Sequence, residues 1–195
     1  MQRFCAVAIL ASTLSGTVAI ASQPGTSRLE AIPTAQPVSE PAEIRQLADQ
    51  GQATAQYDLG VMYEYGRGVP QDDAAAVTWY RKAAMQGVDA AQYRLAVMYE
   101  NGWGVPKNNV EAVVWYRSAA EQGHALAQHD LAFMYVAGKG VPQDYVRAYM
   151  WLDIAVSLGN AVMVKHLRRV AGNMTDTQID EARRLAHEWL NRTGR

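Results

Sequence analysis

The stretch YEYGRGVPQDD, residues 63–73, sets two glycines around one arginine and follows them with Val, Pro and acids. Gly-rich loops of this kind either cradle phosphate or turn the chain. A phosphate-binding loop needs GxxxxGK[ST] between a strand and a helix. Here no Lys-Ser or Lys-Thr completes the motif, and the residues before Gly66 carry helical spacing. The deciding observation lies downstream. The chain reads YENGWGVPKNN at 99–109 and YVAGKGVPQDY at 135–145, so the loop returns twice at intervals of 36 residues. A loop at fixed period is a structural joint, and a period of this length marks a solenoid of stacked units.

Working outward from the loops, the copies run 53–88, 89–124 and 125–160, with a degenerate copy from Ala161. Each reads as two helices. In the first copy, Ala55, Leu59, Met62 and Tyr63 recur at helical spacing and predict a buried face on a helix over 53–65. Gly66 stops that helix, because glycine takes the left-handed conformation at little cost. Pro70 bars its continuation. Asp72, Asn108 and Asp144 stand as N-caps of the second helices, and Asn108 with Glu111 has the spacing of a capping box. The second helix carries Ala76, Trp79, Tyr80, Ala83 and Ala84 and stops at Gly87. Val69, Val105 and Val141, identical in all copies, are expected to tuck inward.

The ends differ from the middle, as the ends of a solenoid must. Residues 42–52 match the second half of a repeat and predict a half-repeat helix covering the first pair. At the other end Leu167 keeps the register of Leu59, Leu95 and Leu131, but the glycine loop is gone. Thr175 and Gln178 form a capping-box pattern before a stripe of Ile179, Ala182, Leu185, Ala186 and Trp189, so 161–195 reads as a degenerate repeat and helical cap. Upstream, Arg3 is the one charge in residues 1–21, and Ala19-Ile20-Ala21 fits a signal-peptidase site, with cleavage expected after Ala21. The segment is short and weakly apolar for a span, so no stable membrane insertion is expected after cleavage. Residues 22–41 hold four of the seven prolines and read as an extended linker. The single cysteine, Cys5, lies inside the signal, leaving a mature chain without disulfides in a periplasmic or secreted location.

The pattern A-x-x-x-L-G-x-M-Y-x-x-G-x-G-V-P-x-D followed by A-x-x-W-Y-x-x-A-A-x-x-G resembles the Sel1-like repeat, a family related to the tetratricopeptide repeats. The resemblance covers about residues 53–160, with partial cover on both sides. It implies an all-α fold, an α/α solenoid built as a right-handed superhelix of antiparallel helix pairs, serving as an adaptor for protein partners. Many bacterial relatives act at the cell envelope. Some secreted relatives carry a disulfide in each repeat and are linked to penicillin binding. This chain lacks those cysteines, and that activity is not carried over.

A net charge of -1 gives no electrostatic footprint for nucleic acid. His124 and His129 are five apart, on different sides of one helix, with no HExxH or cysteine partner for zinc. Neither GxSxG nor SxxK occurs. Asp58, Glu64 and Glu100 read as solvated carboxylates. No catalytic, cofactor-binding or metal residue is therefore expected. Trp79, Trp115 and Trp151 recur every 36 residues and read as packing between neighbours, whereas Trp103 replaces Arg67 and Lys139 of the other loops and reads as an exposed anchor.

Positions that differ between copies are free to meet a partner. On the first helices these are Tyr57, Tyr93 and His129; Asp58, Arg94 and Asp130; Val61, Val97 and Phe133; and Tyr65, Asn101 and Ala137. If first helices line the concave side, this set and Trp103 form a groove of aromatics and both charge signs, suited to a protein or peptide. The expected function is an exported, monomeric, non-catalytic scaffold of the bacterial envelope. The alternative is an envelope enzyme or carbohydrate-binding module acting on peptidoglycan, β-lactams or glycans.

Overall fold

A computed structural model describes residues 41–195. The expected signal, and the linker up to residue 40, lie outside them. Among the described residues there are nine α-helices and no strand: α1 (Pro41–Asp49), α2 (Ala53–Tyr65), α3 (Asp73–Met85), α4 (Asp89–Asn101), α5 (Asn109–Glu121), α6 (Ala125–Ala137), α7 (Tyr145–Ser157), α8 (Val164–Ala171) and α9 (Asp176–Thr193). A 3-10 turn, Ala161–Met163, precedes α8. Pairs α2/α3, α4/α5 and α6/α7 form the three repeats of an α/α solenoid, α1 precedes them as the half repeat, and α8 and α9 cap the far end. The first helix begins at Pro41, one residue inside the segment read as linker. Proline suits that position because the first N–H of a helix has no intrahelical partner.

The two loop glycines do different work. Gly102 ends α4 with φ +80, its N–H bonded to Met98 O at 2.8 Å. Gly104, at φ +64, also touches the preceding repeat: a Cβ there would lie 2.3 Å from the carbonyl carbon and oxygen of Asp73. Gly140 meets Asn109 O in the same way, at 2.2 Å. Each loop therefore rests on the first residue of the preceding repeat's second helix, and its backbone faces protein rather than an anion. Val69, Val105 and Val141 pack partly buried against the core.

Second helices are capped as expected. Asp72 Oδ1 accepts from Ala75 N–H at 2.9 Å, Asn108 Oδ1 from Val110 and Glu111 N–H at 3.1 and 3.2 Å, and Asp144 Oδ1 from Arg147 N–H at 2.9 Å. The Asn108–Glu111 box is one-sided. The Asn108 N–H already donates to Tyr99 O at 2.8 Å, so Glu111 has no donor to accept from. The Thr175–Gln178 box is complete.

The core is alanine-rich around Leu59, Leu95 and Leu131, all three fully buried. Small residues let the helices approach closely, and the large ones key each interface. Trp79 packs with Leu59 and Met62 beside Ile44 and Leu47 of α1. Trp115 lies partly buried between successive clusters, and Trp151 is buried 5.8 Å from the Trp189 ring of α9. The recurring tryptophans are packing residues.

A glutamine ladder also crosses each junction. Gln56, Gln92 and Gln128 are buried, and their Nε2 groups donate to Ala48, Ala84 and Ala120 carbonyls at 3.2, 3.1 and 3.2 Å. Gln86 and Gln122 then donate to the Oε1 of Gln56 and Gln92 at 2.7 and 2.8 Å. The third position of that pair is Leu158, and Gln128 Oε1 is buried without a partner. Leu158 has the backbone conformation of the two glutamines (φ -82, ψ 8 against -89, 5 and -83, -3), so a glutamine there reaches the same acceptor. Leu158→Gln is expected to stabilise the protein by about 1 kcal/mol, since a buried orphan acceptor gains its donor. A melting temperature unchanged or lowered by Leu158→Gln would show that Gln128 is satisfied some other way.

Candidate functional site

The residues singled out on the first helices form a continuous strip across α2, α4 and α6 that continues onto α8. Its floor is a set of tyrosines from the second helices. Tyr80 OH donates to Glu64 Oε2 at 2.5 Å, and Tyr116 OH donates to Glu100 Oε2 at 2.8 Å. Both rings are fully buried. Burial, and then the neighbouring carboxylate, push both phenols above the usual tyrosine range. Glu64 and Glu100 are thus not solvated faces: each is only partly exposed and accepts a hydrogen bond from a buried tyrosine.

Arg94 bridges α4 to α2. Its Nη1 lies 3.3 Å from Glu64 Oε1 and 2.9 Å from Tyr65 OH. Tyr57 packs 5.8 Å from the Tyr80 ring, and Tyr93 packs 5.9 Å from Tyr116 while stacking 4.7 Å from His124. Burial first, then Asp130, push the Tyr93 phenol up to about 12. Val61 and Val97 are partly buried against the core. On α6, His129 Nδ1 lies 2.7 Å from Asp130 Oδ1, and its ring sits 4.7 Å from Phe133 and 4.9 Å from His166 of α8.

Exposure therefore divides the set. Asp58, Tyr65, Asn101, Phe133 and Ala137 are exposed, whereas Tyr57, Tyr93, Arg94, Val61 and Val97 are held by their neighbours. Variation between copies marks freedom from one particular packing, not freedom from packing. Trp103 is 49% exposed and sits across from Tyr65 and Asp73 of the preceding repeat, at the edge of the strip. His124 is not on the body of a helix with His129: it is the N-cap of α6, its Nδ1 accepting from Ala127 N–H at 3.2 Å. Burial lowers its pKa, which keeps the ring neutral and able to accept. Among the described residues no group of three His, Cys, Asp or Glu side chains is placed to hold a metal ion.

The opposite side of the stack carries a cleft of about 520 Å³ between α5, α7 and α9, which sequence reasoning missed. Its Arg117 donates to Tyr135 OH at 2.9 Å, as Arg81 does to Tyr99 OH one repeat earlier. That recurrence was visible in the sequence and marks a tie between repeats.

A family model for the Sel1 repeat matches residues 53–88, 89–124 and 125–160. Among solved structures, a protective antigen present in uropathogenic Escherichia coli strains and displaying an SLR fold is 35% identical, with a TM-score of 0.72, covering 77% of this chain and 32% of that one. A Sel1 repeat protein from Oxalobacter formigenes is 37% identical, with a TM-score of 0.61, covering 65% of this chain and 53% of that one. Helicobacter pylori cysteine rich protein B shares the fold at 20% identity and a TM-score of 0.51, over 65% of this chain and 96% of its own. This chain thus spans about a third of the first structure and about half of the second. Among curated proteins none matches.

Proposed function

The chain belongs to the Sel1 repeat family, and from that premise we propose that it is an exported, non-catalytic scaffold of the cell envelope that holds a protein or peptide along the first-helix strip. Sel1 repeats form a scaffold fold typical of protein–protein interaction. One observation carries the proposal: a stack held by identical leucines, alanines and glutamines presents unlike side chains, of both charge signs and with exposed aromatics, along one connected strip. That composition suits peptide recognition. Export is supported by the signal-like residues 1–21 and by the likeness to a protein described as a protective antigen.

The test is affinity capture from envelope and secreted fractions, with the mature chain and an Asp58→Lys/Asn101→Lys variant as baits. Both positions are exposed, so the fold is expected to survive, and two added lysines oppose a partner fitted to the strip. A true partner is expected to be recovered about tenfold less by the variant. Equal recovery by the two baits removes the strip as the binding face.

A further inference from the structure

Between α6, α7 and α8 lies a cavity of about 110 Å³ with mostly apolar walls, including Phe133, Val136, Leu152 and Val170. Comparison of the repeats explains its presence. The positions of Leu152 and Val136 are those of Tyr116 and Glu100, and of Tyr80 and Glu64, one and two repeats earlier. There a tyrosine ring fills the space and its hydroxyl bonds the carboxylate. In the third repeat both partners are apolar, so the pair itself strands no polar group. Leucine is smaller than tyrosine, and the volume stays open. His129 follows the change: Tyr57 and Tyr93 pack on the tyrosine below them, while His129 packs on Phe133 and His166.

The surroundings fit a ligand of definite chemistry. Phe133 is 39% exposed and belongs to the strip, so the cavity adjoins it. His166 and Arg169 also line the cavity, and His166 keeps a buried Nδ1 without a partner. Helix α8 carries Lys165, Arg168 and Arg169 with no acid, and none of the three is in an ion pair among the described residues. Dry apolar cavities of about 150 Å³ accept a benzene-sized guest. The smaller volume here suits one aliphatic side chain.

We infer that this cavity is a side-chain pocket, which takes a leucine, isoleucine or methionine of a bound peptide while an adjacent acidic residue meets Arg169, the α8 cation at its wall. The inference deepens the scaffold reading and rests on it for the native ligand.

The test needs no native partner. Methyl NMR of the ¹³C-labelled protein is followed on titration with N-acetyl-Leu-Asp-amide, N-acetyl-Ser-Asp-amide and N-acetyl-Leu-Asn-amide. The Leu-Asp probe is expected to shift the Val136, Leu152 and Val170 methyls saturably. The Leu-Asn probe is expected to bind about two- to fivefold more weakly, and the Ser probe to leave these methyls unmoved. Val136→Glu/Leu152→Tyr rebuilds the pair of the earlier repeats and is expected to abolish the Val170 response. Leu152→Phe is a second filling variant, for use if the first does not fold. A Ser probe as effective as the Leu probe, or filled variants that bind as wild type does, would overturn the pocket. Neither filled position is Asp58 or Asn101, so failure here leaves the strip standing, and failure of the capture experiment leaves the pocket.

Discussion

Gly104→Ala is expected to cost about 3–5 kcal/mol, enough to unfold much of a domain of ordinary stability. Two separate effects add. At φ +64 an alanine sits in the left-handed region, a penalty of about 1–2 kcal/mol. Its Cβ would also lie 2.3 Å from the carbonyl of Asp73 and 2.6 Å from Ala74 N. Those atoms are the first backbone of α3, fixed by the Asp72 cap, and cannot retreat as a flexible side chain would. The junction must open instead, losing contacts between tightly packed repeats. Gly87→Ala isolates the first effect, because Gly87 has φ +88 and nothing within 4 Å of its missing Cβ. It is expected to cost about 1–2 kcal/mol. Urea unfolding of the two variants measures the difference. In a stack coupled through nearest neighbours, Gly104→Ala is also expected to split the transition in two. Equal costs at Gly87 and Gly104 would mean that the loop does not bear on the preceding helix.

The period of the loops made the fold legible: α2 runs over the predicted residues 53–65, and the caps fall on Asp72, Asn108 and Asp144. What the sequence hid were pairings between residues far apart along the chain. Glu64 and Glu100 look like surface charges on the first helices, and their tyrosine partners are 16 residues away. A signal was present all the same, because tyrosine and glutamate change together to Leu152 and Val136 in the third copy. The glutamine ladder left a similar trace, with Gln86 and Gln122 giving way to Leu158. The Asn108–Glu111 box failed for a tertiary reason, the capture of the cap N–H by Tyr99 of the preceding helix. In the strip, the copies differ at Tyr93 and Arg94 as they do at Asn101, yet only Asn101 is exposed. Which variable residues reach solvent depends on what the neighbouring repeat places against them.

Tyr116→Leu tests the paired change directly and is expected to cost about 3–4 kcal/mol. The ring is 1% exposed, so its loss leaves a cavity and removes the packing surface of Tyr93. It also strips Glu100 of its donor, adding about 1–3 kcal/mol of unmet desolvation to the balance. Adding Glu100→Val removes the stranded acceptor. Tyr116→Leu/Glu100→Val is then expected to be more stable than Tyr116→Leu alone by about 1–2 kcal/mol, although Glu100→Val by itself is destabilising. The coupling read from the four-protein cycle is the quantity of interest. A clear favourable coupling says that the pair acts as a unit and must be lost as a unit, which is what Leu152 and Val136 display. Zero coupling would make the hydroxyl–carboxylate bond worthless, and Leu152 and Val136 two unrelated substitutions; the cavity beside α8 would then need another origin.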